Sequence, residues 1–349
     1  MAQVIGTIES FKALKQELNK HRVNRFNSIE EVEAFLSRYD LEKQSILSDT
    51  KDQLAREYSQ RTIALKEETQ NREEYLRLKT DNLDTQISQL ANRVDVLKHT
   101  ERTNLLKRVW IAIEFYFKEK RLAYLNNNRT ELISRSVRNI NQRIENHNLF
   151  IYRYTTELEY LIQEYAQTEI TKLEHIHNSL GELQNLVAGA IGENLVVKEL
   201  EKLSDDFVVF NDFRLNFNPP LYFRKINSRI SSIQIDHLLI SKAGLFCIET
   251  KNWSESSIHN LSLRSPVDQI ERSGFALFVY TSKNITLKNH HWGQKKIPVR
   301  NIVVMITHKP QETFKFVSVK LLNELNDYIT YFDPILDQKQ FETLVKHFE

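Results

Sequence analysis

Residues 7–180 contain neither proline nor glycine. All six prolines stand at or beyond Pro219, and six of the seven glycines stand at or beyond Gly181, with only Gly6 before them. Proline and glycine are the strongest local breakers of helices. A stretch of this length without either is organised as long helices, and turns needing unusual backbone angles must come later. The chain therefore divides into a helical part followed by a part with strands and tight turns.

In the helical part, one helix is expected over about residues 8–20. Ser28-Ile29-Glu30-Glu31 reads as a capping box opening a second. A long helical region follows from about 41 to 125. Leu76, Leu83, Leu90 and Leu97 recur every seven residues, with Ile87 and Val94 interleaved, which is a heptad seam. A second seam runs through Ile133, Val137, Ile140, Ile144, His147, Ile151, Tyr154, Leu158, Leu161 and Tyr165. Asn126-Asn127-Asn128 between the seams is the best turn signal in this part. The pattern predicts an antiparallel α-helical coiled coil over 41–185 with its turn near 126–128, pairing about 70–125 with 129–185. Residues 1–40 are then separate N-terminal helices, and 41–69 are left to pack on them or on a second copy. The apolar run from 110 to 117 is broader than a seam and suggests a thicker bundle tip. Such a stalk is expected to serve homo-oligomerisation or contact with a protein partner.

The chemistry concentrates in residues 234–253, QIDHLLISKAGLFCIETKNW. Two alternating, branched-aliphatic runs flank Ser241-Lys242-Ala243-Gly244, so the stretch reads as a β-hairpin. Pairing Ser241 with Gly244 sets 240 against 245, 238 against 247 and 236 against 249. Asp236 then faces Glu249, and Lys251 projects from the same face. Opposed carboxylates repel unless a cation sits between them, and hard oxygen ligands suit Mg²⁺ or Mn²⁺. An ordinary surface cluster on a hairpin gives the same pattern. Gln234 would lie near Lys251, His237 would point to the other face, and Cys247 reads as a small buried apolar residue.

Three blocks together resemble the nuclease-related domain, NERD, a branch of the PD-(D/E)xK nuclease superfamily. They are Gly189-Ala190-Ile191-Gly192-Glu193; Gln234-Ile235-Asp236-His237 with Gly244-Leu245-Phe246-Cys247-Ile248-Glu249-Thr250-Lys251-Asn252; and Ser265-Pro266-Val267-Asp268-Gln269. Ser265 stands where that family usually has asparagine. The resemblance implies a restriction-endonuclease-like α/β domain with a mixed central sheet over 186–349, making the whole an α+β multidomain protein. It further implies Asp236 and Glu249 as metal ligands, Lys251 as the catalytic lysine, Glu193 completing the acidic shell and Gln269 orienting the site or touching a phosphate. The expected activity is Mg²⁺-dependent (or Mn²⁺-dependent) phosphodiester hydrolysis in nucleic acid, with DNA favoured. The alternative is a non-catalytic nucleic-acid-binding or scaffold protein that keeps the fold.

Composition bounds the setting. One cysteine, Cys247, rules out an internal disulfide, and a reducing compartment is expected. The N-terminal residues lack the pattern of a signal peptide and no apolar run approaches a bilayer span, so a cytoplasmic protein without membrane contact is expected. A net charge of +2 does not single out nucleic acid. Between 272 and 320, however, nine basic residues accompany a single acid, Glu312. Lys283, Lys288, Lys295, Lys296 and Arg300 in that run are candidate phosphate contacts.

Overall fold

The structure, a computed structural model, describes residues 1–101, 105–252, 264–285, 296–310 and 312–349. The chain forms two compact units. One comprises Met1–Tyr39 and Leu173–Glu349, the other Asp40–Lys172.

The first unit is built on a six-stranded mixed sheet. Its strands are β1 (Gln3–Ile5), β2 (Phe207–Phe223), β3 (Ser228–Ser241), β4 (Gly244–Lys251), β5 (Val299–Met305) and β6 (Ser318–Leu321), in that spatial order. β2, β3 and β4 are antiparallel neighbours, whereas β1 joins β2, β5 joins β4 and β6 joins β5 in parallel. Parallel neighbours need a crossover. Between β4 and β5 it contains helix α8 (Arg264–Asn284), with Pro266 in its first turn, where a missing N–H costs nothing. Helices α1 (Glu9–Lys20) and α7 (Gln184–Leu200) pack together, and α9 (Leu325–Thr330) and α10 (Gln338–Phe348) follow the sheet.

The sheet is covered on both faces, which is why its central strands read as continuous apolar runs. Leu238, Ile240, Leu245, Cys247, Val303 and Met305 pack with Ile270 and Leu277 of α8 and Leu344 of α10. Leu239, Phe246, Ile248, Ile302 and Val304 pack with Val196 and Leu200 of α7 and Ile329 of α9. On β2 and β3 the two-residue alternation slips once. Phe210 and Phe213 belong to one core cluster, as do Ile235 and Leu238. The slip coincides with Asp212, whose φ of 50° is left-handed. Asp212 and Asp236 are missing from the ladder that pairs Asn211 with His237 and Phe213 with Ile235. Such irregularities re-aim side chains.

Several expectations are corrected here. Residues 1–39 are not a separate helical segment: β1 is a sheet strand and the segment belongs to the compact unit of the sheet. Within β2 the pairing with β3 shifts register between Asn216 and Leu221.

The second unit contains most of α2 (Ile29–His99), then α3 (Leu105–Asn127), α4 (Arg129–Ser136), α5 (Arg138–Thr156) and the start of α6 (Leu158–Glu182). Asp84 meets Arg129 at 2.7 Å, Glu68 meets Arg143 at 2.7 Å, and the rings of Tyr58 and Tyr154 stack at 4.4 Å. As position falls along α2 it rises on the other side, so the helices run antiparallel. Arg93 of α2 meets Glu114 of α3 at 3.2 Å, so α2 already lies beside α3 and the chain does not first fold back at 126–128. Residues 41–69 are not left over, since Leu54 packs with Phe150, Leu161 and Ile162. At Asn128 the backbone still bonds as a helix does, to Tyr124 at 3.0 Å.

Candidate active site

The β3–β4 hairpin closes through Gly244, at φ 124°, where an added Cβ would lie 2.6 Å from the Pro298 carbonyl oxygen. Only glycine fits both demands. The register then runs Ser241↔Gly244, Ile240↔Leu245, Leu239↔Phe246, Leu238↔Cys247 and His237↔Ile248. This is the pairing expected from the sequence, up to the point where the ladder ends. At the next step the Asp236 carboxylate itself accepts the Thr250 N–H at 2.8 Å. A side chain thus takes the place of a ladder bond, and Asp236 is fixed beside the end of β4.

Glu249 is buried. Its Oε1 accepts from Lys251 Nζ at 2.7 Å and its Oε2 from Gln269 Nε2 at 3.1 Å. Gln269 comes from α8, so the crossover helix contributes directly. Glu193 comes from α7 and is 8% exposed. The preceding Gly192 lets α7 approach β4, because an added Cβ would lie 2.9 Å from Asn252 Cβ. Asn252 also donates to the Ala188 carbonyl at 2.8 Å.

Three carboxylates, Asp236, Glu249 and Glu193, are thus gathered with one ammonium group, Lys251. Burial raises the pKa of Asp236 well above the usual carboxylate range, and the neighbouring charges of Glu249 and Glu193 push it further. Burial also raises Glu249, against the pull of Lys251, and raises Glu193, against its bonds from Ser10. For Lys251, burial favours the neutral form, but Glu249, Asp236 and Glu193 together outweigh it and raise the pKa, so the amine stays charged. Burying acids in excess of base costs free energy unless something compensates.

The N-terminal segment supplies part of the surroundings, unannounced by any local pattern of residues. Ser10, near the start of α1, donates its hydroxyl to Glu193 Oε1 and its N–H to Oε2 at 3.5 Å. Glu9 stands close enough to add to the repulsion felt by Glu193 and Glu249. Glu9 accepts from Arg214 at 2.6 Å, and Arg214 and Lys12 both bond Asp212, at 3.0 and 2.9 Å. Burial opposes ionisation of Asp212, but Lys12, Gln234 and Arg214 hold its pKa below the usual range. Gln234 therefore faces Asp212, at 3.1 Å, rather than Lys251. A strand of three residues and a serine 183 positions from its partner leave no local signal. The Asn211-Asp212 pair inside an apolar run was the one readable hint of a bulge.

The remaining residues divide. His237 is fully buried, bonded through Nδ1 to Asn211 at 2.8 Å, and burial lowers its pKa to about 3, so it packs as a neutral ring. Burial pushes the Cys247 thiol up, leaving it inert in the core. Arg300 lies at the turn end of the hairpin, not beside the carboxylates. It donates to the Ala243 carbonyl at 2.8 Å and covers the Phe332 ring at 3.8 Å. Lys296 lies 5.7 Å from the Phe278 ring, and Lys283 is exposed on the last turn of α8. Lys288 and Lys295 fall outside the described residues. A cleft of about 790 Å³ borders Gln269 and Gln234 instead, lined by Arg214, Lys225 and Arg272 together with Asp268 and Glu271.

Residues 188–306 match the family model of the nuclease-related domain. This segment is a NERD domain. No curated protein and no solved structure matches the chain. The NERD segment contains Glu193, Asp236, Glu249, Lys251 and Gln269, whereas Glu9, Ser10 and Lys12 lie far outside it. Among the described residues, no group of three or more His, Cys, Asp and Glu side chains is arranged to hold a metal ion. The donor chemistry of the NERD site nevertheless fits a divalent cation. Its oxygens are hard, and the acids exceed the base in a buried position. Among the described residues, no helix is long and apolar enough to cross a membrane.

Proposed function

We propose that the NERD domain hydrolyses phosphodiester bonds in nucleic acid, with DNA the favoured substrate, using Mg²⁺ or Mn²⁺. One observation carries this reading: Asp236, Glu249 and Glu193 are buried around Lys251 inside a nuclease-related domain. Asp236 and Glu249 would hold the ion, with Glu193 completing the shell. When bound, such an ion polarises a phosphoryl oxygen and makes water more acidic.

The chain's own groups supply the rest. Thr250 N–H and Gln269 Nε2 fix Asp236 and Glu249, so little reorganisation is needed when substrate arrives. Lys251 is charged at neutral pH, so its role is to stabilise negative charge growing on the phosphoryl group or to donate a proton, not to abstract one. The cleft beside Gln269 gives the polynucleotide a path to these groups. The helical unit is proposed as a coiled-coil stalk for self-association or partner contact, and the protein as cytoplasmic.

The second reading is a nucleic-acid-binding or scaffold protein without catalysis. It is favoured by the internal partners already on each carboxylate, namely Ser10, Lys251 and Thr250. Labelled DNA and RNA, single- and double-stranded, incubated with Mg²⁺ or EDTA separate the two. Cleavage abolished by EDTA is the expected result. Binding without cleavage under every metal condition would establish the second reading.

A further inference from the structure

Helix α3 of the second unit is apolar on two sides. Ile111 and Leu125 point into the unit and are 2% and 9% exposed. On the other side Leu106, Trp110, Ile113, Phe117 and Tyr124 form one stripe, and each is more than half exposed. Their 4,3,4 spacing, with Lys120 and Tyr124 continuing it, is a heptad seam with nothing opposite it among the described residues. With three flanking exposed apolar residues the stripe presents on the order of 1,000 Å², taking about 150–250 Å² for a full aromatic side chain. Monomers rarely expose so large a contiguous apolar patch.

We infer that this stripe is the contact surface of a homodimer, in which two copies of α3 pack antiparallel about a two-fold axis. The area matches the roughly 800 Å² per partner of a standard stable interface. The seam is also complementary to itself, as a two-fold contact must be. Setting Ile113 against Phe117 of a second copy sets Leu106 against Tyr124 and Trp110 against Lys120. Lys120 is the only charge within the stripe, and its Nζ already lies 5.2 Å from the Tyr116 ring. In this register it gains an indole face as well, a favourable cation–π contact. The bordering acid Glu114 does not oppose the pairing, because Arg93 and Lys118 hold it at 3.2 and 3.9 Å. The inference does not depend on nuclease activity.

Sedimentation equilibrium on the full chain tests it, with Trp110→Glu and Ile113→Lys as variants and Tyr222→Lys, on an exposed residue of β2, as control. The wild type and the control are expected to be dimers at micromolar concentration. The two α3 variants should dimerise at least 100-fold more weakly with unchanged far-ultraviolet circular dichroism. Hydrogen exchange on the wild type gives a readout that needs no variant: protection that grows with protein concentration over residues 105–124. A wild type that stays monomeric at tens of micromolar overturns the proposal, as does α3 exchange that ignores concentration. A monomer that co-sediments with phosphatidylserine vesicles would assign the stripe to a lipid surface instead and equally overturn it.

Discussion

Glu249 is 2% exposed and Trp110 is 60% exposed, although a carboxylate belongs in water and an indole mostly does not. The sheet unit breaks the burial rule by hiding charge, and the helical unit breaks it by showing hydrocarbon. The two departures call for different remedies. Around Glu249, the excess of acid over base asks for a small cation. Along α3, a mostly apolar surface asks for another surface of the same kind. Stability gives no reason for either arrangement, since neutral groups in the first place and polar groups in the second would fold better. The proposed functions account for both, and each can be tested by restoring the rule and watching what is lost.

The largest expected effect comes from removing the one base in the acidic site. Lys251→Ala should lower kcat for Mg²⁺-dependent cleavage about 10²–10³-fold, the usual loss when a preorganised charge is removed from a reacting centre. Single-turnover cleavage of a labelled duplex measures it, and an unchanged rate would remove Lys251 from the mechanism. Next in size is Ser10→Ala, which frees Glu193 while leaving every NERD residue in place. Roughly tenfold weaker Mg²⁺ binding by calorimetry is expected, with Ser10→Thr restoring it. Equal affinity in all three proteins would reduce Ser10 to a packing contact.

A smaller effect concerns pH. Asp236, Glu249 and Glu193 all have pKa values raised in the folded protein. A group of this kind contributes stability below its unfolded pKa and loses it as pH rises through the folded value. The metal-free protein should therefore gain stability on acidification from neutral pH towards the usual carboxylate range. Mg²⁺ should stabilise it at neutral pH, with the benefit shrinking as the acids take up protons. Thermal melts with Mg²⁺ and with EDTA across that range read both trends. A melting temperature that falls on mild acidification in EDTA would contradict the shifts.

Much of the acidic site was legible because its parts are local. The β3–β4 register follows from two apolar runs and one glycine between them, and Gln269 and Gly192 sit in short recognisable blocks. What was not legible depends on distance. Ser10 reaches Glu193 only after the whole helical part of the chain has been traversed. The reversal between α2 and α3 was missed because a heptad seam specifies a helix face and not the residue opposite. No glycine or proline stands anywhere in residues 7–180 to mark it, while Asn126–Asn128 looked like a turn and stays in helical hydrogen bonding. The basic run was misleading at Arg300 because charge counts along a chain ignore which end of a strand a residue occupies. The cleft that does border the site draws Arg214 and Lys225 from outside that run.

On the proposed reading, the sheet unit gives up stability to keep acids buried for a cation. Asp236→Asn tests it most directly, because the amide oxygen can still accept the Thr250 N–H while the charge is gone. At neutral pH in EDTA the variant should melt higher than the wild type, by ~1 kcal/mol or about 2–4 °C, and should no longer cleave nucleic acid. A variant that melts lower, or that still cleaves with Mg²⁺, would contradict the account.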